Sequence, residues 1–167
     1  MELLAGLPAL TPLVHYHVVG GSPIEVRDWR ARLKNIENIT FYGQVAPSET
    51  DKYRRSFDIL LAPYERMKDD LPDEDLQTPW LSPLKIVEYM AAGKAIICSD
   101  LPAYREILTH ERNALLCDPD DVASWAAAVE RLRRDADLRK SLGRAARDDF
   151  QKHYTWQRRS ERVLQGI

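Results

Sequence analysis

The sequence predicts an α/β fold in which a parallel sheet is flanked by helices. Short apolar runs alternate with helical patterns from end to end, the rhythm of βα units. Gly20-Gly21 closes the first clear strand and leads directly into helical spacing. No repeat or low-complexity linker interrupts the pattern, and 167 residues suffice for one domain with a sizeable core.

The first strand spans Leu13 to Val19, and after Gly20-Gly21-Ser22-Pro23 the residues Val26, Trp29 and Leu33 repeat at helical spacing. Asn38 to Gly43 reads as a second strand, with a short helix opened by Pro47-Ser48-Glu49 and running toward Phe57. Asp58 to Pro63 is a third strand. From Tyr64 to Leu81 the rhythm breaks in an inserted loop, because Asp69-Asp70-Leu71-Pro72-Asp73-Glu74-Asp75 is too polar to form core. A solvated excursion and a lid or partner contact both fit such a loop. A helix from Pro83 to Ala92 follows, then a strand at Ala95 to Cys98, a short helix around Tyr104 to Leu108 and a small strand at Ala114 to Cys117.

From Asp120 to the end, about 120–167, the chain reads as helical: Val122, Trp125, Val129 and Leu132 form one stripe, and Leu138, Leu142 and Ala146 another. The segment from Tyr154 to Leu164 carries Trp156 and Val163 among arginines and suits an amphipathic helix with a partly covered face.

Composition narrows the function. With 44% hydrophobic and 30% charged residues and a formal charge of −2, the chain has no electrostatic footprint for nucleic acid. No apolar run approaches the roughly 20 residues that span a bilayer, and Met1-Glu2-Leu3-Leu4-Ala5 lacks a basic leader, so the expected location is the cytoplasm. Cys98 and Cys117 sit in apolar stretches without ligand-spaced neighbours and are expected to be buried thiols. His15 and His17 share a strand face with no third ligand, which favours packing over metal binding. No nucleophile elbow, Ser/His/Asp order or H-E-x-x-H helix anchors hydrolase chemistry.

The most informative stretch runs from Ser82 to Gly93. Ser82 suits an N-cap, Pro83 the first helical position and Gly93 the left-handed residue that closes a helix. A helix starting there exposes unpaired backbone N–H groups, and Lys85 adds a full charge, which makes a phosphate site around Leu84 and Lys85. Glu88 lies three residues on, about 5 Å along the axis, within reach of a ribose diol when the phosphates rest on the first turn. An ordinary capped helix with a solvated Lys/Glu pair fits the same residues. Gly20-Gly21 permits close backbone approach to a ligand or simply makes a tight turn.

The run from Ser82 to Asp100, SPLKIVEYMAAGKAIICSD, resembles the donor-site segment of the retaining group 1 glycosyltransferases with the GT-B fold. Val18-Val19-Gly20-Gly21, Phe41-Tyr42-Gly43-Gln44-Val45, Arg105-Glu106-Ile107 and Asn113-Ala114-Leu115-Leu116 resemble flanking landmarks of that family in the same order. The resemblance implies that residues 1–167 are a single Rossmann-like donor-binding domain, the C-terminal half of a GT-B architecture, lacking the N-terminal acceptor-binding domain and inactive alone. Its ligand would be a nucleoside-diphosphate sugar bound without metal or other cofactor, and its reaction hexosyl transfer to an acceptor hydroxyl with retained configuration. By position, Glu88 would bind the ribose hydroxyls, while Ser82, Pro83, Leu84 and Lys85 would lie along the diphosphate. Gly20 and Gly21 would border it, Gly43 to Val45 would flank the base, and Lys85 and Glu88 would carry the catalytic electrostatics. Any association with a membrane surface would fall to the missing domain.

Three departures accompany the resemblance. Trp80 stands where the family often has a sugar-binding glutamate, with Glu65 as a substitute. The family's basic pair comes from a strand and helix upstream of Leu13, of which only a helix-like stretch from Glu2 to Leu10 is present. That upstream strand would sit centrally in the sheet, so the chain reads as a fragment, a truncated product or half of a split enzyme. Two further readings share the fold: a non-catalytic nucleotide-binding or interaction module, and a fragment of a GT-B UDP-sugar epimerase.

Overall fold

Parallel pairing organises the molecule, whose computed structural model describes residues 2–66 and 84–165. In chain order the elements are α1 (Glu2–Leu10), β1 (Tyr16–Val19), α2 (Pro23–Arg32), β2 (Ile39–Gly43), α3 (Pro47–Ser56), β3 (Ile59–Ala62), α4 (Leu84–Ala92), β4 (Ala95–Ser99), α5 (Pro102–Arg105), β5 (Leu115–Cys117), α6 (Val122–Arg134), α7 (Ala136–Asp149) and α8 (Trp156–Gln165). A five-residue π-helical turn, Phe150–Tyr154, joins the last two helices. The expected α/β class and element order are observed, with boundaries shifted by a residue or more. The largest shifts are at β1, which begins at Tyr16 and leaves Leu13 75% exposed, and at the short helix expected around Tyr104 to Leu108, which is found at Pro102–Arg105.

The strands form two parallel pieces, β1-β2 and β3-β4-β5. Tyr16 pairs with Ile39 and Val18 with Phe41; Ile59 pairs with Ala95, and Ile97 with Leu115. All five residues of β4 are buried, as the middle strand of a parallel sheet covered on both faces must be. Alternation along β4 divides the interior in two: Ala95 and Ile97 face one apolar cluster, Ile96 and Cys98 the other. The first cluster contains Leu3 and Leu7 of α1 with Trp125, Val129 and Leu132 of α6. The second contains Ile86 and Met90 of α4 with Tyr104, Leu108 and Ala146.

Local signals explain the helix ends. Ser22 and Glu25 form a reciprocal capping box at the start of α2, and Asp121 accepts from the N–H groups of Ala123 and Ser124 at the start of α6. The end of α1 and its link to β1 are tied by Asn38, whose Nδ2 donates to the Pro8, Thr11 and Val14 oxygens at 3.0, 3.3 and 2.9 Å. Gly93 closes α4 with φ +67°, and α7 packs so tightly on this turn that a Cβ on Gly143 would lie 2.5 Å from the Gly93 carbonyl oxygen. Cys98 and Cys117 are buried free thiols, as expected. Trp156 departs from the expected partial cover and is 79% exposed.

One buried polar knot ties the loop before β5 to the end of α7. Fully buried Asn113 accepts the Thr109 N–H at 2.7 Å and donates to the Asp149 carboxylate at 2.7 Å, where Arg112 also donates at 2.7 Å. Burial pushes the Asp149 carboxyl up, but the bonds from Arg112 and Asn113 outweigh it and hold the group below the usual carboxylate range. A lowered folded-state pKa contributes stability that is present above the unfolded value near 4 and lost as pH falls through the folded value. Urea unfolding of Asp149→Asn is therefore expected to show a shallower acid-side loss below about pH 4 than wild type, with a neutral-pH cost of about 2 kcal/mol. Parallel acid curves for the two proteins would remove Asp149 from the linkage.

Candidate functional site

Helical periodicity in α4 separates its core from its exposed face. Ile86 and Met90 are fully buried, whereas Leu84, Lys85 and Glu88 stand together on the opposite side, with Leu84 55% exposed. Two clasps hold this exposed face in place. In the first, Ser99 is buried at the carboxyl end of β4. Its hydroxyl accepts the Tyr64 N–H at 2.8 Å and donates to the Tyr64 carbonyl at 2.7 Å. The Tyr64 ring stacks on Tyr104 with centroids 4.5 Å apart and lies under the Lys85 ammonium, 5.3 Å from Nζ. Lys85 is thereby held by a cation–π contact at the carboxyl rim of β3 and β4.

In the second clasp, Arg54 of α3 donates from Nη1 to Glu88 Oε2 at 3.0 Å. The Arg54 side chain is 20% exposed and that of Glu88 52%. The guanidinium is therefore the anchored partner, and the carboxylate is presented to solvent with one oxygen engaged. Glu88 does not point into the packed interior. Beneath this face, burial pushes the Tyr89 phenol up to about 12, so its hydroxyl keeps the proton that it donates to the Leu61 carbonyl at 3.3 Å. Burial also pushes the Cys98 thiol up to about 12, which makes it a packing group and not a nucleophile.

The second set of expected residues gathers at the ends of β1 and β2. Gly20, Gly21 and Gly43 all have positive φ, of 118°, 85° and 73°, and Gly20 N–H donates to Gly43 O at 2.8 Å. Beyond its own chain neighbours, no atom lies within 4 Å of the position that a Cβ on Gly20 would take, so the positive φ and not crowding favours glycine there and the surface beside it is open. Val45 is half-buried in the short link to α3. Among the described residues, no hydrogen bond or ion pair joins these glycine turns to Lys85 or Glu88; α3 connects them, starting two residues after Val45 and delivering Arg54 to Glu88. Ser82, Pro83 and Trp80, with the acidic insertion, lie outside the described residues. Glu65 is exposed after β3.

His15 and His17 do share a face, with rings 4.8 Å apart, and each pairs with a hydroxyl: His15 with Thr40 at 2.8 Å and His17 with Tyr42 at 3.0 Å. No cluster of three or more His, Cys, Asp or Glu placed to hold a metal occurs among the described residues, and no described helix is long and apolar enough to cross a membrane. Arg54, Tyr64 and Ser99 were not apparent as site residues in the sequence. Arg54 lies in the short helix after β2, to which the sequence assigns no role, and Ser99 holds Tyr64 against Lys85 only because β3 and β4 pair.

Comparison with known proteins adds the family. The model for "Glycosyl transferases group 1" matches residues 2–135. The chain belongs to the group 1 glycosyltransferases. This group 1 chain is 32% identical over 97% of its length to the phosphatidyl-myo-inositol mannosyltransferase of Mycolicibacterium smegmatis, and the match spans 39% of that protein. It thus spans about two fifths of that relative's length. Among solved structures, it matches HepE of Anabaena in complex with UDP and glucose with a TM-score of 0.78 at 16% identity, covering 98% of this chain and 43% of that one. It also matches the C-terminal domain of the group 1 family protein LpcC of Francisella tularensis, with a TM-score of 0.69 at 21% identity, covering 93% of this chain and 77% of that one. At these identities the structural likeness concerns the fold, which this chain shares with GT-B glycosyltransferases.

Proposed function

We propose that this chain is the nucleotide-sugar-binding half of a retaining glycosyltransferase that transfers a hexosyl group to an acceptor hydroxyl, working with an acceptor-binding domain that lies outside it. The observation that carries the reading is the exposed face of α4, where a clamped ammonium at Lys85 and an anchored, solvent-facing carboxylate at Glu88 stand three residues apart at a helix start. A diphosphate on the first turn meets unpaired N–H groups, the helix dipole and Lys85. Glu88 keeps one oxygen for a ribose hydroxyl while Arg54 holds the other. The open surface at Gly20, with Gly21, Gly43 and Val45 near it, suits the remaining diphosphate and the base; Ser82 and Pro83, which precede α4 in the sequence, are assigned to the diphosphate by the family resemblance alone.

In the reaction, the bond from the anomeric carbon to the diphosphate oxygen breaks and a bond to the acceptor oxygen forms. The acceptor hydroxyl gives up its proton, and the nucleoside diphosphate leaves with added negative charge. Lys85 and the helix start oppose that charge more strongly as it develops, which is the differential stabilisation that lowers a barrier. The proposed reaction uses no metal or cofactor, as the family resemblance implies. The complex of HepE with UDP and glucose supports a nucleotide-sugar ligand for this fold.

Calorimetric titration of UDP, GDP and ADP tests the proposal. Wild type is expected to bind at least one of them, and Glu88→Ala to bind it about tenfold to a hundredfold more weakly, the effect of losing hydrogen bonds to a charged acceptor. Equal binding by both proteins would remove Glu88 from the site. Failure of wild type to bind any of the three would leave a non-catalytic module with this fold.

A further inference from the structure

Pro63 follows the last residue of β3 and has no N–H to donate, so the chain leaves the ladder there. β3 and β4 pair in a register that sets Ala62 beside Cys98, and Ser99 therefore meets the first residues beyond β3. Its hydroxyl satisfies both backbone groups of Tyr64, the N–H at 2.8 Å and the carbonyl at 2.7 Å. With its backbone fixed, Tyr64 stacks its ring on fully buried Tyr104, the two rings inclined by 30° with centroids 4.5 Å apart. Lys85 Nζ stands over the same ring, 5.3 Å from its centre. A mobile ammonium is thus held by a ring that rests on a rigid neighbour.

A carboxylate and an aromatic ring hold an ammonium in different ways. The carboxylate neutralises it and takes up its donors, whereas the ring attracts it through a quadrupole and leaves the full charge and the N–H groups for another partner. Glu88, three residues on along α4, is spaced to pair with Lys85. That pair is not formed: Glu88 Oε2 accepts from Arg54 at 3.0 Å instead, and among the described residues no carboxylate pairs with Lys85. Arg54 and Tyr64 divert two opposite charges that would otherwise cancel, so each stays available to a ligand. An ammonium already held in place also gives up less side-chain freedom when a phosphate arrives.

We propose that Tyr64 is a positioning residue for Lys85, a role that rests on the nucleotide-sugar reading of the α4 face. Its ring, seated on Tyr104 and fixed through Ser99, holds the ammonium at the first turn of α4 with charge and donors free for a diphosphate.

The test is a double-mutant cycle on the 167-residue chain, read by calorimetric titration of UDP, GDP and ADP. Tyr64→Leu, which keeps much of the bulk and loses the ring, is expected to weaken binding about threefold to tenfold. Tyr64→Phe keeps the ring and is expected to stay within about twofold of wild type. In a Lys85→Met background the same Tyr64→Leu change is expected to alter binding by less than about twofold, because the group through which Tyr64 acts is gone. A penalty of equal size with and without Lys85 would overturn the proposal by making the ring a packing element, and so would equal binding by Tyr64→Leu and wild type. If Tyr64→Leu does not fold, nuclear magnetic resonance of the unsubstituted chain decides the point. The ring current of Tyr64 is expected to move the ε-methylene protons of Lys85 upfield of those of Lys34, Lys52 and Lys140, and their coincidence would overturn the proposal. Failure of wild type to bind any of the three nucleotides would sink the nucleotide-sugar reading and this role with it, whereas binding that ignores Tyr64 would sink this role alone.

Discussion

Trp125→Ala is expected to cost about 3–5 kcal/mol, a large fraction of the stability of a domain this size. Trp125 is fully buried where α6 meets the sheet, in the cluster that also contains Leu3, Leu7, Ile97 and Leu132. Its indole N–H donates to the Asp118 carbonyl at 2.9 Å, so truncation both opens a cavity and leaves a carbonyl in the β5–α6 link without its donor. Neighbouring side chains relax only partly into such a void. Urea denaturation followed by circular dichroism measures the loss, and Trp125→Phe separates its parts by restoring most of the volume without the donor. A cost below about 1 kcal/mol for the alanine variant would mean that α1 and α6 do not rely on this side chain.

The second large effect concerns the candidate site. Lys85→Glu is expected to weaken nucleoside-diphosphate binding by about a hundredfold or more, while the stability of the chain changes by under about 1 kcal/mol. The substitution replaces attraction with repulsion at the first turn of α4, where the helix dipole favours anions. Lys85 is exposed and touches the Tyr64 ring on one side only, so little packing is lost with it. Calorimetric titration beside a thermal melt reads both quantities. Unchanged binding of a nucleoside diphosphate that wild type binds would place the diphosphate elsewhere. A comparable loss of stability would mean that Lys85 serves the fold.

The two halves of the candidate site differ in how far they were legible. The helix signals around Lys85 and Glu88 are local: their spacing of three on a helix that closes at Gly93 sets them on one face, and both are exposed in the structure, whereas the burial of Ile86 and Met90 opposite them is a finding of the structure. Gly20 and Gly21 were legible for a related reason, as a tight turn after a strand, and each has a positive φ; Gly43 was named through the family resemblance alone, and its positive φ is a finding of the structure. Arg54 was not, because its meaning depends on a carboxylate 34 residues later in the chain. Ser99 likewise clamps Tyr64 only because β3 and β4 pair in a register that sets their ends side by side.

Sequence by itself determined the α/β class, the order of elements and the exposed Lys85–Glu88 face, because periodicity, caps and turn residues act over a few positions. Only the tertiary structure decided that the strands divide into two parallel pieces, that Arg54 anchors Glu88 and that Tyr64 cradles Lys85. Those outcomes depend on which strand edges meet and on the long-range packing of helices over them, which no local run of residues encodes.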